Sequence, residues 1–111
     1  MAKAFSVERI EKRVPMALPV SIAGHANLPG VESTFTENVS SRGARVLTVR
    51  RWRANDRLEF TSYPGEFHAR ARVAYCHALS GDGYAIGLEF LERAGHWVIS
   101  APPVSGKSLH G

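Results

Sequence analysis

Apolar and polar positions begin to alternate at Met16. Met16, Leu18, Val20 and Ile22 share one side of an extended chain, the pattern of a half-buried strand over residues 16–22. Gly24-His25-Ala26-Asn27-Leu28-Pro29-Gly30 is turn-rich and ends it. Residues 31–39 carry Thr and Phe at strand-like spacing, Ser40-Ser41-Arg42-Gly43 interrupts them, and residues 44–49 resume. This predicts a second and a third strand joined tightly. After the polar stretch 50–57, residues 58–63 alternate until the turn at Pro64-Gly65. The clearest period of two sets Phe67, Ala69, Ala71, Val73 and Tyr75 on one face of a fifth strand and His68, Arg70, Arg72 and Ala74 on the other. Ser80-Gly81-Asp82-Gly83 reads as a hairpin turn into a sixth strand over residues 84–90. Phe67, Val73, Tyr75, Ile86, Leu88 and Phe90 are the expected core or its edge. Leu91, Ala94 and Val98 stand at helical spacing and predict a short helix over residues 91–99, against which Gly95 weighs.

Six short strands with turn signals between them and at most one short helix describe an all-β barrel or sandwich. Residues 1–15 mix charge with isolated Phe5, Val7 and Ile10 and end at Pro15, so they read as an arm preceding a domain over residues 16–99. Residues 100–111, with Pro102-Pro103, Gly and Ser, read as a disordered tail. No internal repeat is present.

Composition narrows the class. At 111 residues the chain suits one domain, burying roughly 60 to 70% of its unfolded surface. It is 44% hydrophobic and 22% charged, which is globular rather than disordered. The first residues hold no uninterrupted apolar run of signal-peptide type, and no apolar stretch approaches membrane-span length. The expectation is a soluble, cytoplasmic protein. Cys76 is the single cysteine, which excludes an internal disulfide and a zinc site built on paired cysteines. Fourteen Lys and Arg against ten Asp and Glu give a net charge of +4, which favours anionic partners without requiring one.

Two short segments carry candidate chemistry. Arg9 and Arg13 stand four apart, and a guanidinium offers a planar fork of donors that pairs with phosphate oxygens and stacks on a purine. A solvated charge pattern, with Glu8 and Glu11 beside Arg13 and Lys12, also accommodates them. In Asn38-Val39-Ser40-Ser41-Arg42-Gly43, Asn38 and Ser40 offer donors and acceptors to the edge of a base, and Gly43 permits positive φ and close approach of a ligand to the backbone. An ordinary turn uses the same residue types to bond its own backbone.

Together the segments resemble a family signature. RxxxR followed 25 positions later by D/NxSxxG, met by Arg9, Arg13, Asn38, Ser40 and Gly43, is similar to the motif of the PilZ domain family. RVPMALPV resembles the family's run into its first strand, and YAIGLEF resembles its last, with Gly87 and Phe90 three apart. The resemblance implies a six-stranded antiparallel β-barrel with a flexible N-terminal arm that binds the bacterial second messenger cyclic di-GMP. In that family the arm arginines contact phosphates and guanine, and the D/NxSxxG turn grips the guanine edge and phosphoribose. By position Arg9 and Arg13 take the arm role and Asn38, Ser40 and Gly43 the barrel role. Lys12, Ser41 and Arg42, within the same segments, are further candidate contacts. The resemblance also implies a receptor that relays its signal to a protein partner in motility, adhesion and biofilm, or exopolysaccharide control, without catalysis, metal or cofactor other than the ligand. Two departures stand out. Glu8 occupies a position where many members carry a further arginine suited to an intercalated ligand dimer, and Asn38 replaces the commoner acid.

Other features yield alternatives. A PilZ-like adaptor that no longer binds the nucleotide is one. Arg50-Arg51-Trp52-Arg53, with Arg57, suggests a small barrel that binds single-stranded nucleic acid, or a solvated or protein-binding loop. Ser105-Gly106-Lys107-Ser108 lacks the first glycine of a phosphate-binding loop, because Ala101 stands there. Cys76 and His77 with His68 lack the acidic partner and spacing of a metal or nucleophile site, so Cys76 is expected to fill the core.

Overall fold

The computed structural model describes residues 12–99. Arg9 and the predicted tail lie outside the described residues. Within them the chain forms β1 (Val14–Pro15), β2 (Pro19–Ala23), β3 (Val31–Ser40), β4 (Gly43–Thr48), β5 (Arg57–Ser62), β6 (Phe67–Ala78) and β7 (Tyr84–Ala94), with one 3₁₀ turn at Pro64–Glu66. Every pairing is antiparallel. The order β3-β2-β5-β6-β7-β4 closes where β4 returns to β3, giving a six-stranded barrel, and β1 lies on the end of β3 with Val14 opposite Val39. No helix among the described residues is long and apolar enough to cross a membrane.

The strand predicted over residues 16–22 begins only at Pro19, as β2; residues 16–18 are a break, and the short β1 precedes it at Val14–Pro15, in the segment expected to be the arm. Thr36 fills that break: its hydroxyl donates to the Met16 carbonyl at 2.6 Å and accepts the Leu18 N–H at 2.9 Å. Buried backbone groups that lose their ladder partners need such substitutes. The β3–β4 seam is also uneven. Backbone pairing runs from Ser40 opposite Gly43 to Thr36 opposite Val46. Past that point side chains close it, with the Thr34 hydroxyl donating to the Leu47 carbonyl at 2.7 Å and Glu32 accepting from the Thr48 hydroxyl at 2.6 Å and the Val49 N–H at 2.9 Å.

Two expectations are corrected. Phe67, Ala69, Ala71 and Val73 do face the core, but Tyr75 does not share their face. The register passes from Val73 opposite Leu88 to Tyr75 opposite Gly87, so Ala74 is the extra residue of a bulge, and each later side chain changes face. Tyr75 thus lies outside, while Cys76, opposite Ile86, packs on the core. The predicted helix over residues 91–99 is absent. β7 continues with Glu92, Arg93 and Ala94 opposite Arg70, Ala69 and His68, and Leu91 is a bulge. Leu91, Ala94 and Val98 are all exposed, so a helix there would have no buried apolar face. The twelve-residue β6 gives this backbone hydrogen-bonding partners instead.

The core is filled from every strand of the barrel, with Val20, Ile22, Val39, Val46, Leu58, Phe60, Val73 and Ile86 nearly inaccessible. At one end Phe60, Phe67 and Phe90 cluster with centroids 5.2 to 6.2 Å apart, and Trp97 packs onto all three at 4.7 to 5.7 Å. Centroid separations in this range suit aromatic pairs. This aromatic plug lies under the β3–β4 turn.

Candidate functional site

Antiparallel pairing brings the start of β4 beside the end of β7 and places the β3–β4 turn over the aromatic plug. The pair Ser40 and Gly43 closes the hairpin, leaving Ser41 and Arg42 as its two-residue loop. Each carbonyl of the turn has a donor. The Ser40 carbonyl accepts the Trp97 indole N–H at 2.7 Å, the Ser41 carbonyl accepts Arg93 Nη1 at 2.6 Å, and the Arg42 carbonyl accepts the Phe90 N–H at 2.8 Å. The turn is therefore fixed from beneath by residues about fifty positions away.

The sequence-predicted residues divide by role on this frame. Ser40 is fully buried, and its hydroxyl accepts the Arg42 N–H at 3.3 Å, so it shapes the turn. Gly43 does not have positive φ. A Cβ there would fall 1.9 Å from the Leu88 carbonyl oxygen, so glycine is required by the close approach of β7 and not by a left-handed backbone. Asn38 is half-buried and faces outward, opposite Pro15 and Arg45. Arg13, exposed just before β1, donates from Nη1 to Asn38 Oδ1 at 2.9 Å. The structure thus brings the arm cation and the turn amide together. Lys12 and Arg42 are exposed and Ser41 is half-buried around them.

An outer row runs on from Asn38. Arg45 donates to Glu37 Oε1 at 2.6 Å and to the Tyr75 hydroxyl at 3.0 Å, and its guanidinium lies 5.6 Å from the Tyr75 ring centroid. The bond to Glu37, and after it the bond to Tyr75, hold this guanidinium above its ordinary range. His77 stacks on Tyr75 at 4.5 Å. Sequence reading missed Arg45, Arg93 and Trp97. Arg45 was legible as a cation between the inward Ala44 and Val46, whereas Arg93 and Trp97 sat in the segment assigned to a helix. Donor forks beside an amide and an ordered turn suit an anionic, hydrogen-bonding ligand. Among the described residues no group of His, Cys, Asp and Glu is placed to hold a metal ion.

Comparison with known proteins agrees with this architecture. No curated protein matches the chain. Among solved structures, the Bacillus subtilis inhibitor of motility (MotI/DgrA) is similar, with a TM-score of 0.62 at 19% identity, over 76% of this chain and 42% of that one. That likeness is one of fold, and the matched part spans less than half of the Bacillus protein. A family model described as the PilZ domain matches residues 8–95. That match takes in every strand of the described residues and both motif segments, and the chain belongs to the PilZ domain family.

Proposed function

We propose that this chain is a cyclic di-GMP receptor that binds the nucleotide with Arg9 and Arg13 of the arm and with Asn38, Ser40 and Gly43 of the β3–β4 hairpin. The reading is supported by membership of a family of binding rather than catalytic domains, and the observation that carries it is the hydrogen bond from Arg13 to Asn38. Residues 25 positions apart in the sequence, one from each half of the motif, meet on the barrel surface.

The roles follow from chemistry. Arg13 and Arg9 supply forks to the two phosphates, with Lys12 and Arg42 adding positive charge, and Asn38 presents a carbonyl oxygen to the guanine edge. Ser40 and Gly43 act through the turn they build, and Ser41 offers its backbone. Charge-assisted bonds contribute about 1.5 to 3 kcal/mol each, so loss of one arginine weakens binding by about tenfold or more. Ordering of the arm over the ligand makes the bound form a distinct surface for a protein partner. That relay, in the cytoplasm of a bacterium, would control motility, adhesion or exopolysaccharide. The neighbour's description as an inhibitor of motility agrees with the first output.

Calorimetric titration with cyclic di-GMP, beside GMP and cyclic GMP, tests the reading. Saturable binding of the cyclic dinucleotide alone, lost in Arg13→Ala while the melting temperature holds, supports it. Absence of binding by the folded wild-type chain overturns it and leaves a protein-contact adaptor.

A further inference from the structure

The basic stretch between β4 and β5 is sorted by the fold into three roles. Arg50 is structural, because its guanidinium donates to the carbonyls of Leu28 at 3.2 Å and Pro29 at 3.3 Å and lies 4.0 Å from Glu32. Trp52 is core, 2% exposed, with its ring edge against His25 at 4.7 Å. Its indole N–H is shielded from solvent and finds no acceptor among the described residues. It therefore offers a ligand neither a stacking face nor a donor. Arg51 and Arg53 are exposed, and their guanidinium groups have no acceptor among the described residues. Elsewhere Arg13, Arg45, Arg70, Arg72 and Arg93 each engage an acceptor.

These two cations border a cleft of about 1070 Å³. It lies at the barrel end remote from the β3–β4 turn, where β4 and β6 end and β5 and β7 begin. Its other walls include Ala54, Ala74, Tyr75 and Tyr84, and among the described residues no Asp or Glu lines it. Asp56, close in sequence, is turned to the Arg53 backbone N–H at 2.9 Å. The surrounding loops are braced. His25 Nδ1 accepts the N–H groups of Asn27 at 3.1 Å and Leu28 at 3.2 Å, which leaves Nε2–H to donate to the Arg51 carbonyl at 2.8 Å. The arginine backbone is thus fixed before any partner arrives, which lowers the ordering cost of binding.

We propose that this cleft docks an acidic segment of a protein partner, with carboxylates on Arg51 and Arg53 and an apolar side chain between Tyr75 and Tyr84. A carboxylate meets a guanidinium fork two bonds at a time, and small alanine walls beside tyrosines suit an inserted apolar anchor. Burial of Trp52 removes the largest aromatic of the basic stretch as a stacking platform for a nucleic-acid strand. Tyr75 links the cleft to the arm face, since Asn38 is opposite Arg45 and Arg45 bonds Tyr75. The proposal rests on the reading of this chain as a relay to a protein, and not on nucleotide binding.

The test is to pan a displayed library of random peptides against the intact chain and measure the enriched peptides by fluorescence anisotropy. The variants are the double substitution Arg51→Glu with Arg53→Glu, its Arg→Gln counterpart, and Arg13→Ala, with folding checked by circular dichroism. Enriched peptides are expected to be rich in Asp and Glu around an apolar residue. They should weaken by about tenfold or more in the charge reversal, weaken less in the Gln pair, and be unaffected by Arg13→Ala. No enrichment, neutral peptides, or acidic peptides indifferent to Arg51 and Arg53 would overturn the proposal. So would a labelled single-stranded oligonucleotide that binds more tightly through the same arginines with steep salt dependence. Failure of nucleotide binding is read separately, in the calorimeter.

Discussion

Gly87 lies directly beneath the Tyr75 ring: a Cβ at Gly87 would fall 2.2 Å from one of the ring carbons. The bulge at Ala74 turns Tyr75 outward, and the missing side chain opposite lets the ring lie flat on β7 and reach Arg45.

Gly87→Ala should therefore expel the ring, with a stability loss of about 1 to 3 kcal/mol, as for overpacking. A thermal melt checks it. Tyr75→Ala in the same chain should recover part of the loss, since the clash then has no second partner, and a double-mutant cycle reads that coupling.

Gly43→Ala meets a backbone oxygen rather than a movable ring, 1.9 Å from the new Cβ. β4 and β7 must separate locally, and the expected loss is about 3 kcal/mol or more. Denaturant unfolding should show it in the absence of any nucleotide, so a binding defect of this variant reports the hairpin and not a lost ligand contact.

Trp97 combines packing with one hydrogen bond to the Ser40 carbonyl. Trp97→Phe keeps the aromatic packing and should cost about 1 kcal/mol for the missing bond. Trp97→Ala also opens the plug over Phe60, Phe67 and Phe90 and should lose about 3 kcal/mol. Both variants should weaken cyclic di-GMP binding through a looser turn, measured by titration below their melting temperatures.

Glu32 closes the lower β3–β4 seam by accepting from Thr48 and Val49. Glu32→Ala leaves the Val49 N–H unanswered and the Thr48 hydroxyl with only the Arg50 carbonyl at 3.5 Å, and should destabilise by about 1 to 3 kcal/mol, whereas Glu32→Gln retains one acceptor and should lose less. Amide hydrogen exchange at Val49 should accelerate in the order wild type, Gln, Ala.

Asn38→Asp converts the partner of Arg13 from an amide to a carboxylate. Guanine donors would meet a charged acceptor, so affinity for cyclic di-GMP should rise by a few-fold, and binding should become more sensitive to low pH as the carboxylate protonates. Calorimetry at two pH values separates the variant from wild type.

Local pattern alone determined most of the strands, because alternation of apolar residues and turn-forming Gly, Pro, Asn and Ser are properties of adjacent positions. The segments of β3 to β6 and the hairpin at Ser41 and Arg42 were legible in this way, and the motif segments by themselves resemble the PilZ family. Tertiary structure decided what depends on a neighbouring strand. The bulges at Ala74 and Leu91 are set by register against β7 and β6, and they moved Tyr75 outside and removed the expected helix. The reason for glycine at position 43 is a carbonyl on Leu88, 45 residues away in sequence. Arg50, Arg51, Trp52 and Arg53 read as one basic cluster, yet they divide into a loop clamp, two exposed cations with no acceptor among the described residues, and a core side chain. Burial and hydrogen-bond partners, which make that division, exist only once the barrel has closed.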